Sequence, residues 1–141
     1  MILPDVNVLL YAFRRDSARH TEFRAWLEEV INGEAAYGMA PQVLSALVRI
    51  STHRRIYVEP STTTEALAFC EALLEPAHCT IVRPGPRHWD IFTDFCRRSR
   101  ATGNLIQDAW FAALAVEGGC EWVTTDRDYA RFPGLRWREP I

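Results

Sequence analysis

The sequence predicts an α/β fold, a mainly parallel sheet with helices on both faces, and three observations predict it. Short β-rich runs alternate with amphipathic stretches of roughly 10–16 residues, the rhythm of βαβ units. The chain has 141 residues, 48% of them hydrophobic and 24% charged, which suits a single domain spanning 1–141 around one core. No repeat, low-complexity tract or linker interrupts the alternation. No apolar run reaches the ~18–20 residues of a membrane span, and Met1-Ile2-Leu3-Pro4-Asp5 does not open a signal peptide. A cytoplasmic protein with no membrane attachment is expected, its four separated cysteines (Cys70, Cys79, Cys96, Cys120) serving as small hydrophobes in a reducing compartment.

Each element follows from local pattern. Ile2-Leu3 reads as a short strand stopping at Asp5, and the apolar run Val6 to Phe13 turns into a helix. Residues 18–32 carry Phe23, Trp26, Leu27, Val30 and Ile31 on one face, and Asn32-Gly33 ends that helix. Tyr37 to Ala40 is a second strand. Pro41 opens a helix whose stripe is Val43, Leu44, Leu47, Val48 and Ile50. Thr62 to Glu65 forms a capping box before a helix through Leu74. Cys79 to Val82 is a third strand, closed by Pro84-Gly85-Pro86, and a helix covers about 87–98. Asn104 is read as the N-cap of a helix to about Val116, which Gly118-Gly119 terminates. Trp122 to Thr125 is a buried strand ending at Asp126; a helical turn follows, and Leu135 to Arg138 adds an edge strand.

The charges exclude whole classes of chemistry. Net charge is −2, yet all 16 basic residues are arginine and lysine is absent. That removes Schiff-base chemistry, a P-loop lysine and a lysine general base. It also disfavours two phosphotransfer designs that share this layout, receiver domains and haloacid-dehalogenase-type phosphatases, since both employ a lysine near the phosphoryl group.

In parallel α/β sheets ligands bind beyond the carboxyl ends of the strands. Asp5 ends the first strand and Asp126 the fourth, Asp128 follows two positions later, and Asp108 sits early in the helix that Asn104 opens. Clustered carboxylates either rise in pKa or bind a cation, and Mg²⁺ or Mn²⁺ prefers such hard oxygen ligands, with water and substrate phosphates filling the shell. Singly, each has a structural explanation: Asp126 and Asp128 suit a turn or N-cap, and Asp108 gains from the helix dipole. Asp5 does not fit that account, because Asp5-Val6-Asn7 puts two polar side chains inside a strongly apolar run.

At Pro4-Asp5-Val6-Asn7-Val8-Leu9-Leu10-Tyr11, Gly103-Asn104-Leu105-Ile106-Gln107-Asp108-Ala109 and Thr124-Thr125-Asp126-Arg127-Asp128-Tyr129-Ala130-Arg131-Phe132, the chain resembles PIN-domain ribonucleases. More narrowly it resembles the VapC-type toxins of bacterial toxin–antitoxin pairs. Each block is short, but three in this order at these separations form a specific pattern covering essentially the whole chain. The resemblance implies a three-layer α/β/α sandwich and a metal-dependent endoribonuclease. Such an enzyme uses Mg²⁺ or Mn²⁺ to activate water, leaving a 5′-phosphate and a 3′-hydroxyl. It implies catalytic and metal-binding roles for Asp5, Asp108 and Asp126, with Asn7 orienting the first carboxylate and Thr125 as the hydroxyl beside the last. It further implies a homodimer, an RNA substrate and a small cognate antitoxin whose tail enters the acidic cleft.

One position departs from the pattern. Where many relatives have glutamate in V-L-x-E-x-x-R, this chain reads Val43-Leu44-Ser45-Ala46-Leu47-Val48-Arg49. Ala46 removes one expected ligand, leaving open one metal or two, with Asp128 as the candidate substitute. It also sustains an alternative, a non-catalytic PIN-like module that binds RNA or protein. Arg49, Arg54 and Arg55 are candidate RNA-backbone contacts, although a solvated helix end explains them equally. The tryptophans fall mostly on helical apolar faces, which suits core or dimer packing better than base stacking.

Overall fold

A computed structural model describes residues 1–141. In chain order the elements are β1 (Ile2–Pro4), α1 (Val6–Phe13), α2 (His20–Asn32), β2 (Tyr37–Met39), α3 (Pro41–Ser51) and α4 (Thr63–Leu74). They continue with β3 (Cys79–Ile81), α5 (His88–Ser99), α6 (Asn104–Glu117), β4 (Glu121–Val123), a 3₁₀ turn (Arg127–Arg131) and β5 (Trp137–Arg138). The five strands lie in the order β3-β2-β1-β4-β5, every neighbouring pair parallel. The chain therefore builds outward from β1 to one edge, crosses back, and adds β4 and β5 on the other side. The order reverses between β1 and β4, which is where a parallel sheet opens a crevice.

Right-handed crossovers put α1–α4 on one face and α5–α6 on the other. The packing follows that division: α1 rests on α2 and α3, α3 on α4, and α5 on α6. This is the expected three-layer sandwich. Strands only two or three residues long suffice because the central ones are covered on both faces. Leu3, Met39, Trp122 and Val123 are fully buried, while Ile81 on the edge strand β3 is exposed. Gly38 permits the close approach of β2 to its neighbours, since a Cβ there would stand 2.9 Å from Val82 Cγ2.

Most boundaries agree with the sequence, and the differences have local causes. Pro41 is the first residue of α3. The Thr62 hydroxyl accepts the Glu65 N–H at 3.1 Å as a capping box requires, but Glu65 Oε1 returns to the Thr62 hydroxyl rather than to its backbone N–H. The cap of α6 is Gly103, not Asn104. Gly103 has φ 58° and ψ −128°, a conformation suited to glycine, and its turn lets the Leu105 and Ile106 amides bond the Thr102 and Gly103 carbonyls. Asn104 is thereby already helical. The fourth strand stops at Val123 instead of reaching Thr125, because its partner β1 ends at Pro4, opposite Val123, with the Asp5 N–H making the last bond between them to the Val123 carbonyl at 2.9 Å. The last strand is shorter than its apolar stretch, Trp137–Arg138 only. Trp122 is fully buried, but Trp89 is largely exposed, so of core and dimer packing it does not serve the core.

Candidate active site

The crevice between the carboxyl ends of β1 and β4 is a cleft of about 490 Å³. Its walls come from the start of α1 (Val6, Asn7, Leu10), from α3 (Gln42, Ser45, Ala46, Arg49, Ile50) and from α6 (Gln107, Asp108, Phe111). Asp5, Asp126 and Tyr129 complete it. A larger groove of about 880 Å³ lies away from this cleft, between α1, α2 and α4, and contains none of the four candidate aspartates.

Three carboxylates from distant parts of the sequence thus meet, each held by a different donor. Asp5 sits in the single residue between β1 and α1. It caps the helix by accepting the Val6 N–H on Oδ1 at 2.7 Å, and accepts the Thr124 hydroxyl on Oδ2 at 2.6 Å. Asp126 caps the 3₁₀ turn through Oδ1, which accepts the Asp128 N–H at 2.9 Å. Asp108, in the second turn of α6, accepts the Tyr129 phenol on Oδ1 at 3.3 Å. The N-cap explanation of Asp126 is therefore correct as structure and leaves its Oδ2 free, whereas Asp5, set apart from that explanation in the sequence, is an N-cap too and has both oxygens engaged. Asp108 Oδ2 and Asp126 Oδ2 take no internal bond, and no arginine forms an ion pair with Asp5, Asp108 or Asp126.

The electrostatics record this crowding. Burial pushes the Asp5 carboxyl up to about 6, against bonds from Thr124 and Val6 that favour ionisation; the Asp108 and Asp126 charges push it further. Asp108 is raised as well, first by burial and then by Asp126, with a smaller push from Asp128. The Tyr129 phenol is driven far above its ordinary range by burial and by the surrounding carboxylates, so it stays protonated and can only donate to Asp108. A divalent cation would relieve all of these strains together. The side chains do not converge as a closed three-ligand cage. An open set of carboxylates nonetheless fits an ion that keeps several waters, as Mg²⁺ does.

The remaining predicted residues divide. Asn7 lies beside the cluster, but it reaches Asp5 only indirectly: its Nδ2 donates to Thr124 Oγ1 at 3.4 Å and its Oδ1 accepts the Thr125 N–H at 3.5 Å. The hydroxyl that organises the site belongs to Thr124, not Thr125. Thr124 Oγ1 donates to Asp5 and accepts from the Asp126 N–H at 3.0 Å and from Asn7, which exhausts the one donor and two acceptor positions of a hydroxyl. Thr125 contributes only its backbone N–H. Asp128 stands outside the cleft lining, exposed and 3.7 Å from Arg131 Nη2. Ala46 does line the cleft, so the wall facing the carboxylates carries a methyl group where an acid was expected. Of the three arginines, Arg49 lines the cleft, whereas Arg54 and Arg55 are exposed in the loop after α3. Sequence reasoning missed Tyr129 and Gln42; Gln42 Oε1 accepts the Trp110 indole N–H at 2.6 Å and so joins α3 to α6 across the cleft.

The chain is similar to known proteins along nearly its whole length. The PIN domain model matches residues 2–135. A VapC ribonuclease of Mycobacterium bovis is 40% identical over 141 residues, covering 100% of this chain and 96% of its own. Ribonuclease VapC25 of Mycobacterium tuberculosis is 39% identical over 140 residues, covering 99% of each. Among solved structures, VapBC2 of Rickettsia felis bound to a promoter DNA fragment superposes with a TM-score of 0.70 at 16% identity, over 99% of this chain and 98% of that one. Mycobacterium tuberculosis VapC20, described as a sarcin-ricin loop cleaving toxin, gives 0.63 at 14% identity, over 96% and 99%. On the family match and the full-length relatives, the chain belongs to the PIN-domain family, among the VapC ribonucleases.

Proposed function

We propose that this protein is a metal-dependent endoribonuclease, the toxin of a toxin–antitoxin pair, which hydrolyses RNA phosphodiester bonds with Mg²⁺ or Mn²⁺. The observation that carries this is the meeting of Asp5, Asp108 and Asp126 in one cleft with no cationic side chain paired to them. Asp108 Oδ2 and Asp126 Oδ2 are the oxygens free to hold the ion, and Asp5, with both oxygens already accepting hydrogen bonds, would contribute its charge beside them. When bound, the ion would lower the pKa of a coordinated water and offset charge building on the phosphoryl oxygens. Thr124 fixes Asp5 relative to Asp126, and Asn7 fixes Thr124. Arg49, on the opposite wall, is placed to meet a substrate phosphate. The cognate partner is an antitoxin, by extension from the VapBC complexes among the structural neighbours. No helix is long and apolar enough to cross a membrane.

Ala46 favours a second reading, a PIN scaffold that binds RNA or protein without cutting, because one wall of the cleft lacks its acid. The two separate in one experiment. Purified protein free of antitoxin is incubated with mixed cellular RNA in Mg²⁺, in Mn²⁺ and in EDTA, beside an Asp5→Ala control. Cleavage that needs the metal and Asp5 is expected. Cleavage persisting in EDTA or in Asp5→Ala refutes the metal-carboxylate mechanism, and no cleavage of any RNA favours the binding module.

A further inference from the structure

The 3₁₀ turn that Asp126 caps carries Tyr129 back into the site. Its side chain is 1% exposed and is clamped by aromatic neighbours: Trp122 at 5.4 Å and Phe132 at 5.9 Å between ring centroids, with Phe95 behind Phe132 at 5.3 Å. Trp122 in turn stacks on Phe111 of α6 at 5.6 Å, the helix that bears Asp108. The ring therefore has little freedom, and its hydroxyl is delivered to one place, Asp108 Oδ1. Packing alone would be served by phenylalanine. What the phenol adds is a donor that occupies one oxygen of Asp108 and leaves Oδ2 without an internal partner.

We propose that Tyr129 is a positioning residue for the divalent-metal site, fixing the rotamer of Asp108 so that Oδ2 is presented to the ion. The proposal rests on the metal-dependent reading above. It gives one short turn two tasks, since the segment that carries Asp126 also orients Asp108, 21 positions away from Tyr129 in sequence. It also gives α6 a carboxylate whose direction is set from outside the helix. This matters in a cleft whose facing wall, at Ala46 of α3, supplies no ligand of its own.

The test is calorimetric titration of Mn²⁺ into the metal-free full-length protein, for wild type, Tyr129→Phe, Phe132→Leu and Asp108→Asn. Tyr129→Phe keeps the ring and is expected to weaken Mn²⁺ binding about tenfold, the range for removing a partner that orients a ligand, while its melting temperature in EDTA stays within ~4 °C of wild type. Phe132→Leu loosens the same aromatic stack and is expected to lower that melting temperature while keeping the Mn²⁺ dissociation constant within about twofold of wild type. In RNA cleavage, Tyr129→Phe should shift the Mn²⁺ activation curve and recover kcat at saturating metal. An unchanged Mn²⁺ constant in Tyr129→Phe, or an equal loss in Phe132→Leu, overturns the positioning role alone. Wild-type protein that binds no Mn²⁺, or Asp108→Asn that binds it as well as wild type, overturns the metal reading and this proposal with it.

Discussion

At the scale of single residues the site is a set of carboxylates kept in place at a cost to the fold. Asp5 shows the sign of that cost. Its carboxyl is raised from 3.8 to about 6, chiefly by burial. A raised carboxyl contributes stability that is complete below the unfolded value of 3.8 and lost as pH rises through about 6. A shift of this size corresponds to about 3 kcal/mol, and replacing one of the two hydrogen bonds to Asp5 gives back about 1 kcal/mol. Asp5→Asn is therefore expected to stabilise the metal-free protein by about 1–2 kcal/mol at pH 8. That gain should vanish near pH 4, as measured by urea unfolding in EDTA at both pH values. Destabilisation at pH 8 would show that the two hydrogen bonds outweigh the buried charge. A second residue-scale expectation separates adjacent threonines. Thr124→Val removes a fully engaged hydroxyl and should lower Mg²⁺-dependent cleavage about 10–100-fold, whereas Thr125→Val, which keeps the backbone N–H, should stay within about twofold. Equal losses in the two variants would mean that the hydrogen-bond hub is not what aligns the site.

At the scale of elements, much of this was legible, and the exceptions share a cause. The strand that stops at Asp5, the Pro41 start of α3 and the Gly118-Gly119 end of α6 are local signals, readable without partners. The three cleft aspartates were legible because strand ends and a helix start bring them to one rim. Thr124 was not, since in Thr124-Thr125 the sequence offers two equal hydroxyls and only the register beyond β4 decides which faces Asp5; one step along a strand reverses the face. Tyr129 was missed for a similar reason, because an aromatic after Asp126-Arg127-Asp128 reads as packing until its long-range partner is known. The cap of α6 was misplaced by one residue because Asn104 has the better capping side chain, while Gly103 has the freer backbone. That substitution makes an element-scale prediction. An added Cβ at Gly103 meets no atom within 4 Å, so any penalty comes from the backbone, at φ 58°. Gly103→Ala should cost about 1–3 kcal/mol in urea unfolding and reduce cleavage, since the start of α6 sets where Asp108 stands. A neutral result would show that the helix can begin without that turn.

Over the whole molecule, a net charge of −2 is an average of unlike regions. The cleft holds three aspartates with no arginine paired to them, while seven of the 16 arginines are ion-paired elsewhere, at Asp16, Glu22, Glu28, Asp94, Asp128, Glu121 and Glu139. Arg49, Arg54 and Arg55 belong to the remainder, running from the cleft wall into the loop after α3. An RNA strand crossing the cleft toward that loop would exchange counterions for these guanidinium groups, and each single-strand phosphate contact contributes about 0.7 to the slope of log K against log salt. The expectation is tested with Asp126→Asn protein, which is not expected to cut, binding a single-stranded RNA across a range of salt. Replacing Arg49, Arg54 and Arg55 together by alanine should reduce the slope by about 2. Unfolding stability should change by under about 1 kcal/mol, because none of the three is ion-paired. A slope that does not move would place the strand on the opposite shoulder, where Arg97 and Arg100 end α5 beside the Gly103 turn. A reduced slope would place the expected affinity for RNA on arginines of the cleft wall and the loop beyond it, away from the three carboxylates, which have no paired arginine and repel a phosphate until a cation joins them.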